Sequence, residues 1–236
     1  LGLTLDPRFV REEIFFNGLL RGLQTLNFNY DIHDLETALI ENLLSYKQLW
    51  VVSTEFMDGD TQKLLADYVK RGGHLIIYPV IPTLDLYLNA CTILQDELRI
   101  QFSKSDSPNK IEAFGIEDMF TIFREKQIFK SNDAEIVSRT ENGEVCGIKK
   151  KVKKGSATIL GYAFGYTSDE HLHLYEKIVS LDKIKRQAKV SDPDIQFVIR
   201  KGKKYSYMFL INYHNQKKSF KVNSVNYSLN PFSCKI

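Results

Sequence analysis

The chain has 236 residues, 43% of them hydrophobic and 26% charged, with a formal net charge of +3. That length suits one large domain or a medium one with a small companion, at ~100–200 residues per domain. So small a charge marks neither a nucleic-acid binder nor a membrane-surface protein, and no apolar run approaches the ~20 residues needed to cross a bilayer.

In chain order, Leu1 to Leu5 reads as a first strand. Asp6-Pro7 then opens a helix, with aspartate as N-cap and proline at the first helical position, where its missing N–H costs nothing. Phe16, Leu19, Leu20 and Leu23 follow at helical spacing and are expected to lie on a sheet. Asn29 to Asp34 alternates like a second strand, and Leu35 to Leu44 is a short amphipathic helix or turn. Lys47 to Thr54 carries four consecutive apolar residues, Leu49 to Val52, as a central parallel strand covered on both faces does. Leu64, Leu65, Tyr68 and Val69 form the buried stripe of the next helix, which stops at Gly72-Gly73. His74 to Val80 is the following strand. The stretch from Leu44 to Pro79 is therefore one parallel crossover unit of an α/β sheet.

From Thr83 to Lys154 the pattern weakens. Leu98 to Phe102 and Ile111 to Phe114 read as short strands, and Glu144 to Lys154 as the return arm of a hairpin turned at Glu141-Asn142-Gly143. Ala157 to Ala163 is another buried strand. Asp169 to Leu181 is a helix with Leu172, Tyr175, Ile178 and Val179 on one face. Residues 182–193 turn basic and then read Ser-Asp-Pro-Asp, as a linker does. Short strands follow at Ile195–Ile199, Tyr205–Asn212, Ser219–Val222, Asn226–Leu229 and Phe232–Ile236, an antiparallel all-β module too small to bury much surface alone. The expected division is an α/β domain over 1–181, a linker over 182–193 and a β domain over 194–236.

Few constellations promise chemistry, and no residue is assigned as catalytic, cofactor-binding or metal-ligating. Cys91 lacks the flanking glycines of a nucleophile elbow and reads as a buried small hydrophobe. Gly18/Gly22 and Gly72/Gly73 match no dinucleotide or phosphate loop. Glu55, Asp58 and Asp60 follow a strand end, where α/β sheets bind ligands, but aspartate there is foremost a helix cap. His171 and His173 fall on opposite sides of a helix, while His33, His74 and His214 have no companions in sequence. The basic run Lys149 to Lys154 reads as a solvated hairpin edge protected by its charges. Tyr162, Phe164 and Tyr166 alternate as a sugar-stacking face does, or as core does. Cys91, Cys146 and Cys234 are odd in number and widely spaced, which suits a reducing, cytoplasmic setting.

Three stretches, Tyr30-Asp-Ile-His-Asp-Leu35, Leu44-Ser-Tyr-Lys-Gln-Leu-Trp-Val-Val52 and Leu65-Ala-Asp-Tyr-Val-Lys-Arg-Gly-Gly-His-Leu-Ile-Ile77, are together similar to the trimerisation domain of family 42 β-galactosidases. Lys154-Gly-Ser-Ala-Thr-Ile-Leu-Gly161 resembles the strand that closes that domain. Tyr207 to His214 and Asn230-Pro-Phe232 resemble the small β domain that ends those enzymes. The resemblance implies an α/β, flavodoxin-like or class I glutamine amidotransferase-like mainly parallel sheet without the catalytic cysteine, followed by the small antiparallel all-β domain. It implies a non-catalytic C-terminal piece of a longer β-galactosidase-like glycoside hydrolase, whose catalytic glutamates sit on a (β/α)₈ barrel of roughly 250 residues. The implied partners are that barrel and further copies in a homo-oligomer, with no cofactor and no nucleic acid or membrane. The alternative is a carbohydrate-binding or small-molecule-sensing module with a pocket near Glu55, Asp58 and Tyr78. The opening Leu-Gly-Leu-Thr-Leu, without Met, fits a piece of a longer chain.

Overall fold

A computed structural model describes residues 7–105, 110–117, 119–122, 126–130, 133–165 and 169–236. The expected strand at Leu1–Leu5, the Asp6 cap and Tyr166 lie outside them. Helix α1 (Pro7–Thr25) leads through an extended stretch to the one-turn α2 (Ile40–Leu43) and strand β1 (Gln48–Val52). Next come α3 (Gly59–Lys70), β2 (His74–Tyr78), α4 (Ile93–Leu98), β3 (Phe102–Ser105), β4 (Lys110–Ala113), β5 (Phe120–Thr121) and β6 (Lys126–Phe129). Strands β7 (Glu135–Thr140), β8 (Val145–Val152) and β9 (Gly155–Leu160) precede α5 (Asp169–Ser180). The chain ends in β10 (Ile195–Lys201), β11 (Ser206–Asn212), β12 (Lys218–Val222), β13 (Val225–Leu229) and β14 (Ser233–Lys235).

The main sheet is mixed, in the order β1-β2-β9-β8-β7-β4-β5. Its parallel part is β1, β2 and β9. From β9 onward the long middle segment continues it by antiparallel pairing, because tight turns at Lys153-Lys154 and Glu141–Gly143 leave no length for a crossover. The β1–α3–β2 unit forms as its sequence predicts. Side chains of β2 alternate between two covered faces, so all five are buried. Ile76 and Tyr78 join the cluster under α1 and α5, with Leu19, Leu23, Tyr175 and Ile178. Leu75 and Ile77 join the opposite one under α3, with Leu65, Val69 and Leu94.

Several expectations are corrected. β1 is the outermost strand of this sheet among the described residues, not a central one. On α1 the buried stripe is Phe15, Leu19 and Leu23, whereas Phe16 is exposed and Leu20 half-buried. Leu64 is half-buried, and Ala66 takes its place in the α3 stripe. Residues 29–34 form no strand. The strand expected over Leu98–Phe102 is the end of α4, stopped by Arg99 in the left-handed region (φ 53°), before β3 begins at Phe102. The lysine-rich β8 is an interior strand between β9 and β7, not an edge. It tolerates Lys150 there because the stem is buried while the ammonium donates to Asp133 and to the Arg99 carbonyl, both at 2.8 Å.

The β module matches the predicted strands to within one or two residues. β10, β11 and β14 form one antiparallel sheet and β12 with β13 a second, around Ile195, Phe197, Leu210, Phe220 and Leu229. Buried Asn212 ties its turns by donating to the Gln216 and Asn230 carbonyls (both 2.9 Å) and accepting from the His214 amide (3.0 Å). The basic segment before it is anchored rather than free. Asp182 bonds into the sheet, the Gln187 amide donates to the Asn27 carbonyl (2.9 Å), and the Ser191 amide donates to the Lys221 carbonyl (2.9 Å).

Candidate functional site

Ligands of open α/β sheets bind beyond the carboxyl ends of the parallel strands. Here that end is closed by its own hydrogen bonds. After β1, Ser53 donates its amide to the Tyr78 carbonyl (2.7 Å) and its hydroxyl to the Val80 carbonyl. The Glu55 carbonyl accepts from the Thr83 and Leu84 amides (both 3.0 Å), and the Met57 amide donates to the Leu84 carbonyl (2.9 Å). Gln127 grips the Ile81 amide at 2.8 Å, and buried Gln62 donates to the Met57 and Cys91 carbonyls while accepting from the Leu94 amide. Each buried side chain that bridges the two loops is therefore occupied in holding them.

The acidic turn divides its labour. Asp58 is the N-cap of α3, accepting from the Thr61 amide at 2.9 Å. Burial pushes its carboxyl up, but hydrogen bonds from Thr61 and nearby amides outweigh that and hold it below the usual carboxylate range. Asp58→Ala is expected to cost about 1 kcal/mol in urea unfolding, and Asp58→Ser to recover most of it. A native pKa held down adds stability above the unfolded value near ~4 and loses it as pH falls through the native value. Asp58→Ala should therefore flatten the acid limb of the stability curve. Glu55 pairs with Lys104 at 2.9 Å, both ends exposed, a contact worth little. Asp58 and Asp60 border an open depression that also meets Leu35, Leu64 and Leu86. Tyr78 does not reach it. Its ring is fully buried, stacked on Phe164 at 4.6 Å, so the pocket expected around Glu55, Asp58 and Tyr78 is not assembled.

The loop between Asp85 and Asn89 has the opposite character. The Asp85 carboxylate accepts from the Tyr87 amide (2.8 Å), the Asn89 amide (2.9 Å) and the Asn89 side chain (3.1 Å), and the Asp85 amide donates back to the Asn89 carbonyl (2.8 Å). On this frame Leu86, Tyr87 and Leu88 are 61%, 86% and 67% exposed, with Leu88 in the left-handed region at φ 68°. Asp85 is held below its ordinary pKa, chiefly by Asn89. A non-glycine residue at positive φ is uncommon, and here it serves a tip that shows three large apolar side chains to solvent.

One cluster is assembled only by the fold. His74, companionless in the chain, donates from Nδ1 to Asp182 (2.5 Å) and accepts at Nε2 from the Thr158 hydroxyl (2.8 Å). Gln48 donates to the same Asp182 oxygen (2.5 Å) and to the Ile178 carbonyl (2.9 Å), and accepts from the Trp50 indole (3.0 Å). Carboxylate, imidazole and hydroxyl stand in the sequence of a nucleophilic triad. Its place argues otherwise: His74 and Gln48 open their strands at the amino end of the sheet, and Thr158 is fully buried. The cluster clamps β1, β2 and β9 to the end of α5. No sequence signal could find it, since its members lie up to 134 positions apart.

The remaining candidates are structural. Cys91 is half-buried, with Sγ beside Gly59 at the start of α3. His171 is buried against the carbonyls of Gly165 and Thr121, while His173 faces solvent. Tyr162 and Phe164 are core, the former bonded to Ser138 at 2.8 Å. Among the described residues no three His, Cys, Asp or Glu side chains gather to hold a metal, and no helix is long and apolar enough to cross a membrane.

Residues 2–135 match the family described as GLMA-like, second domain. A β-1,2-glucosyltransferase of Ignavibacterium album is 55% identical over the whole chain, which covers 34% of that protein. An exo-β-D-glucosaminidase of Pyrococcus horikoshii is 32% identical over 92% of the chain, covering 29% of that protein. A GH42 β-galactosidase from G. stearothermophilus shares the fold, with a TM-score of 0.77 and 13% identity over 99% of this chain and 37% of the other. The chain thus spans about a third of the length of the relatives it matches. The likeness to family 42 is one of fold. The chain belongs to the GLMA-like second-domain family.

Proposed function

We propose that the chain is a non-catalytic part of a larger carbohydrate-active enzyme, where it serves subunit assembly and supports the active site of a catalytic barrel. The observation that carries this reading is the carboxyl end of the sheet. Its buried polar side chains are engaged in holding the loops, and its most exposed apolar feature is the hydrogen-bonded tip Leu86–Leu88. A tip of that kind suits a protein contact better than a sugar hydroxyl. The parent reaction is the cleavage or transfer of a β-glycoside. The relatives' names support that breadth, with β-galactosidase activity as the narrower reading from the fold. The amidotransferase-like scaffold over 1–181, the linker over 182–193 and the β domain over 194–236 belong to this proposal, as does a reducing cytoplasmic setting, suited to three widely spaced cysteines.

The test is a Leu86→Ser/Tyr87→Ser variant of the full-length parent, which leaves the Asp85–Asn89 frame intact. Light scattering is expected to show a smaller assembly, and glycoside turnover to fall at least about tenfold with unchanged circular dichroism. Unchanged mass and turnover would overturn the assembly role. Turnover of a nitrophenyl glycoside by the 236-residue chain alone would overturn the non-catalytic one.

A further inference from the structure

The formal charge of +3 hides a division along the chain. Residues 1–181 carry twenty lysines and arginines against twenty-six aspartates and glutamates, an excess of six negative charges. Residues 182–236 carry twelve against three, an excess of nine positive ones, and from Ile195 to Ile236 there is no acidic side chain at all. The three aspartates are occupied within the fold. Asp182 accepts from His74 and Gln48, while Asp192 and Asp194 share Lys218 (3.4 and 2.7 Å), and Asp194 also faces His214 at 3.3 Å. Arg186 pairs with Glu176. The other ten cations of the segment are exposed and pair with no carboxylate among the described residues. Uncompensated like charges on so small a module repel one another, and a surface kept for solubility or edge protection alone would mix the two signs.

The charge is densest on the β10–β11 hairpin. Arg200, Lys201, Lys203 and Lys204 fall within five positions, and Tyr205 and Tyr207 follow, 69% and 48% exposed. The tip is a closed turn, in which the Gly202 amide donates to the Tyr205 carbonyl at 2.8 Å. Arg200 stands opposite Tyr207 in the ladder, and a Cβ on Gly202 would meet the Tyr207 ring at 3.7 Å, so the ring lies beside the glycine. Cations and flat phenol faces are thus interleaved on one hairpin. Lysines are point charges for phosphate, sulfate or carboxylate, and a phenol ring offers an apolar face on which a sugar ring or a base packs. No leucine, isoleucine, phenylalanine or tryptophan stands at the tip to enter a lipid layer. We propose that this hairpin is a surface site for an anionic glycan, a chain of sugars bearing carboxylate, phosphate or sulfate groups. A nucleic acid offers the same charges and flat rings; the choice of a glycan rests on the reading of the chain as part of a carbohydrate-active enzyme. The site tethers the parent enzyme to a polymer and takes no part in bond cleavage.

Affinity electrophoresis of the full-length parent in soluble polymers tests the site. Dextran sulfate and neutral dextran share a backbone, and polyvinyl sulfate carries the charge without the sugar. Dextran sulfate is expected to bind at least about tenfold tighter than dextran, and at least about fivefold tighter than polyvinyl sulfate at equal charge. Lys201→Gln/Lys203→Gln/Lys204→Gln is expected to weaken dextran sulfate binding at least about tenfold and to lower its salt slope by about three, while Lys201→Arg/Lys203→Arg/Lys204→Arg retains it. Tyr205→Ala/Tyr207→Ala is expected to abolish the preference over polyvinyl sulfate and to leave the salt slope unchanged. Dextran sulfate binding that survives the glutamine variant overturns the proposal. Equal affinity of the intact parent for polyvinyl sulfate overturns it in favour of bare charge attraction. Tighter binding of poly(U) RNA or of phosphatidylserine vesicles overturns it in favour of a nucleic acid or a membrane. The comparisons among polymers use the intact parent, so they stand whatever the folding of the variants. Mass and nitrophenyl glycoside turnover stay unchanged in these variants, which separates failure of this site from failure of the non-catalytic assembly reading that those two readouts test.

Discussion

Gly155→Ala is expected to destabilise the chain by about 3 kcal/mol or more, the cost of forcing a methyl group against fixed backbone. Gly155 begins β9 where it passes beneath the end of α3. A Cβ there would stand 2.2 Å from the Val69 carbonyl oxygen and 2.3 Å from that of Gly73. Both obstacles are backbone, so no side-chain rotation relieves them. The chain must instead draw β9 away from β2 at the point where the Ser156 amide bonds the Gly73 carbonyl (3.1 Å). Gly143→Ala is the control. It sits in the β7–β8 turn at φ 83° with nothing within 4 Å, so its cost is the conformational penalty alone, about 1 kcal/mol. Urea unfolding followed by Trp50 emission separates the two, and a Gly155→Ala loss no greater than that of Gly143→Ala would refute the steric account.

Asp182→Ala is expected to cost about 2–3 kcal/mol, because it strands the Nδ1 donor of buried His74 and one donor of Gln48. Asp182→Asn keeps an acceptor in place and should cost about half as much. The same site predicts a pH dependence. Burial lowers the His74 pKa; the bond to Asp182 and its charge oppose that, and the charge of Lys149 adds to it. The native state therefore holds His74 neutral while the unfolded chain protonates it near ~6.5. Below that pH the unfolded state binds the extra proton, so stability falls as pH drops from about 6.5 to the lowered native value, at up to about 1.4 kcal/mol per unit. Removing Asp182 takes away the opposing influence and extends the loss to lower pH. A His74→Gln variant whose stability shows the same slope between about pH 6.5 and 5 would exclude His74 as its source.

The crossover unit was legible because its signals are local. A helix period from Leu65 to Val69, an aspartate cap at 58 and a glycine stop at 72 and 73 each act within a few residues. The β module was legible for the same reason, with period-two strands between polar turns. The middle segment was not. Lys150 reads as a surface residue until Asp133 and the Arg99 carbonyl, distant in sequence, accept its ammonium. Residues 29–34 have the alternation of a strand, but a strand exists only with a ladder partner, and periodicity does not supply one.

The sequence alone determined the α/β class, the crossover from Leu44 to Pro79, an aspartate cap at Asp58 or Asp60, the absence of a nucleophile elbow and the antiparallel ending. These depend on periodicity and on turn and cap chemistry, which act over a few residues. Only the tertiary structure decided that β1 lies at the edge of the described sheet, that Thr158, His74 and Asp182 form a clamp at its amino end, with Asp182 partly exposed, and that Leu86 to Leu88 project as a hydrogen-bonded tip. Those facts arise where segments up to 134 positions apart meet, and burial and hydrogen-bond satisfaction there depend on the neighbours that the fold supplies.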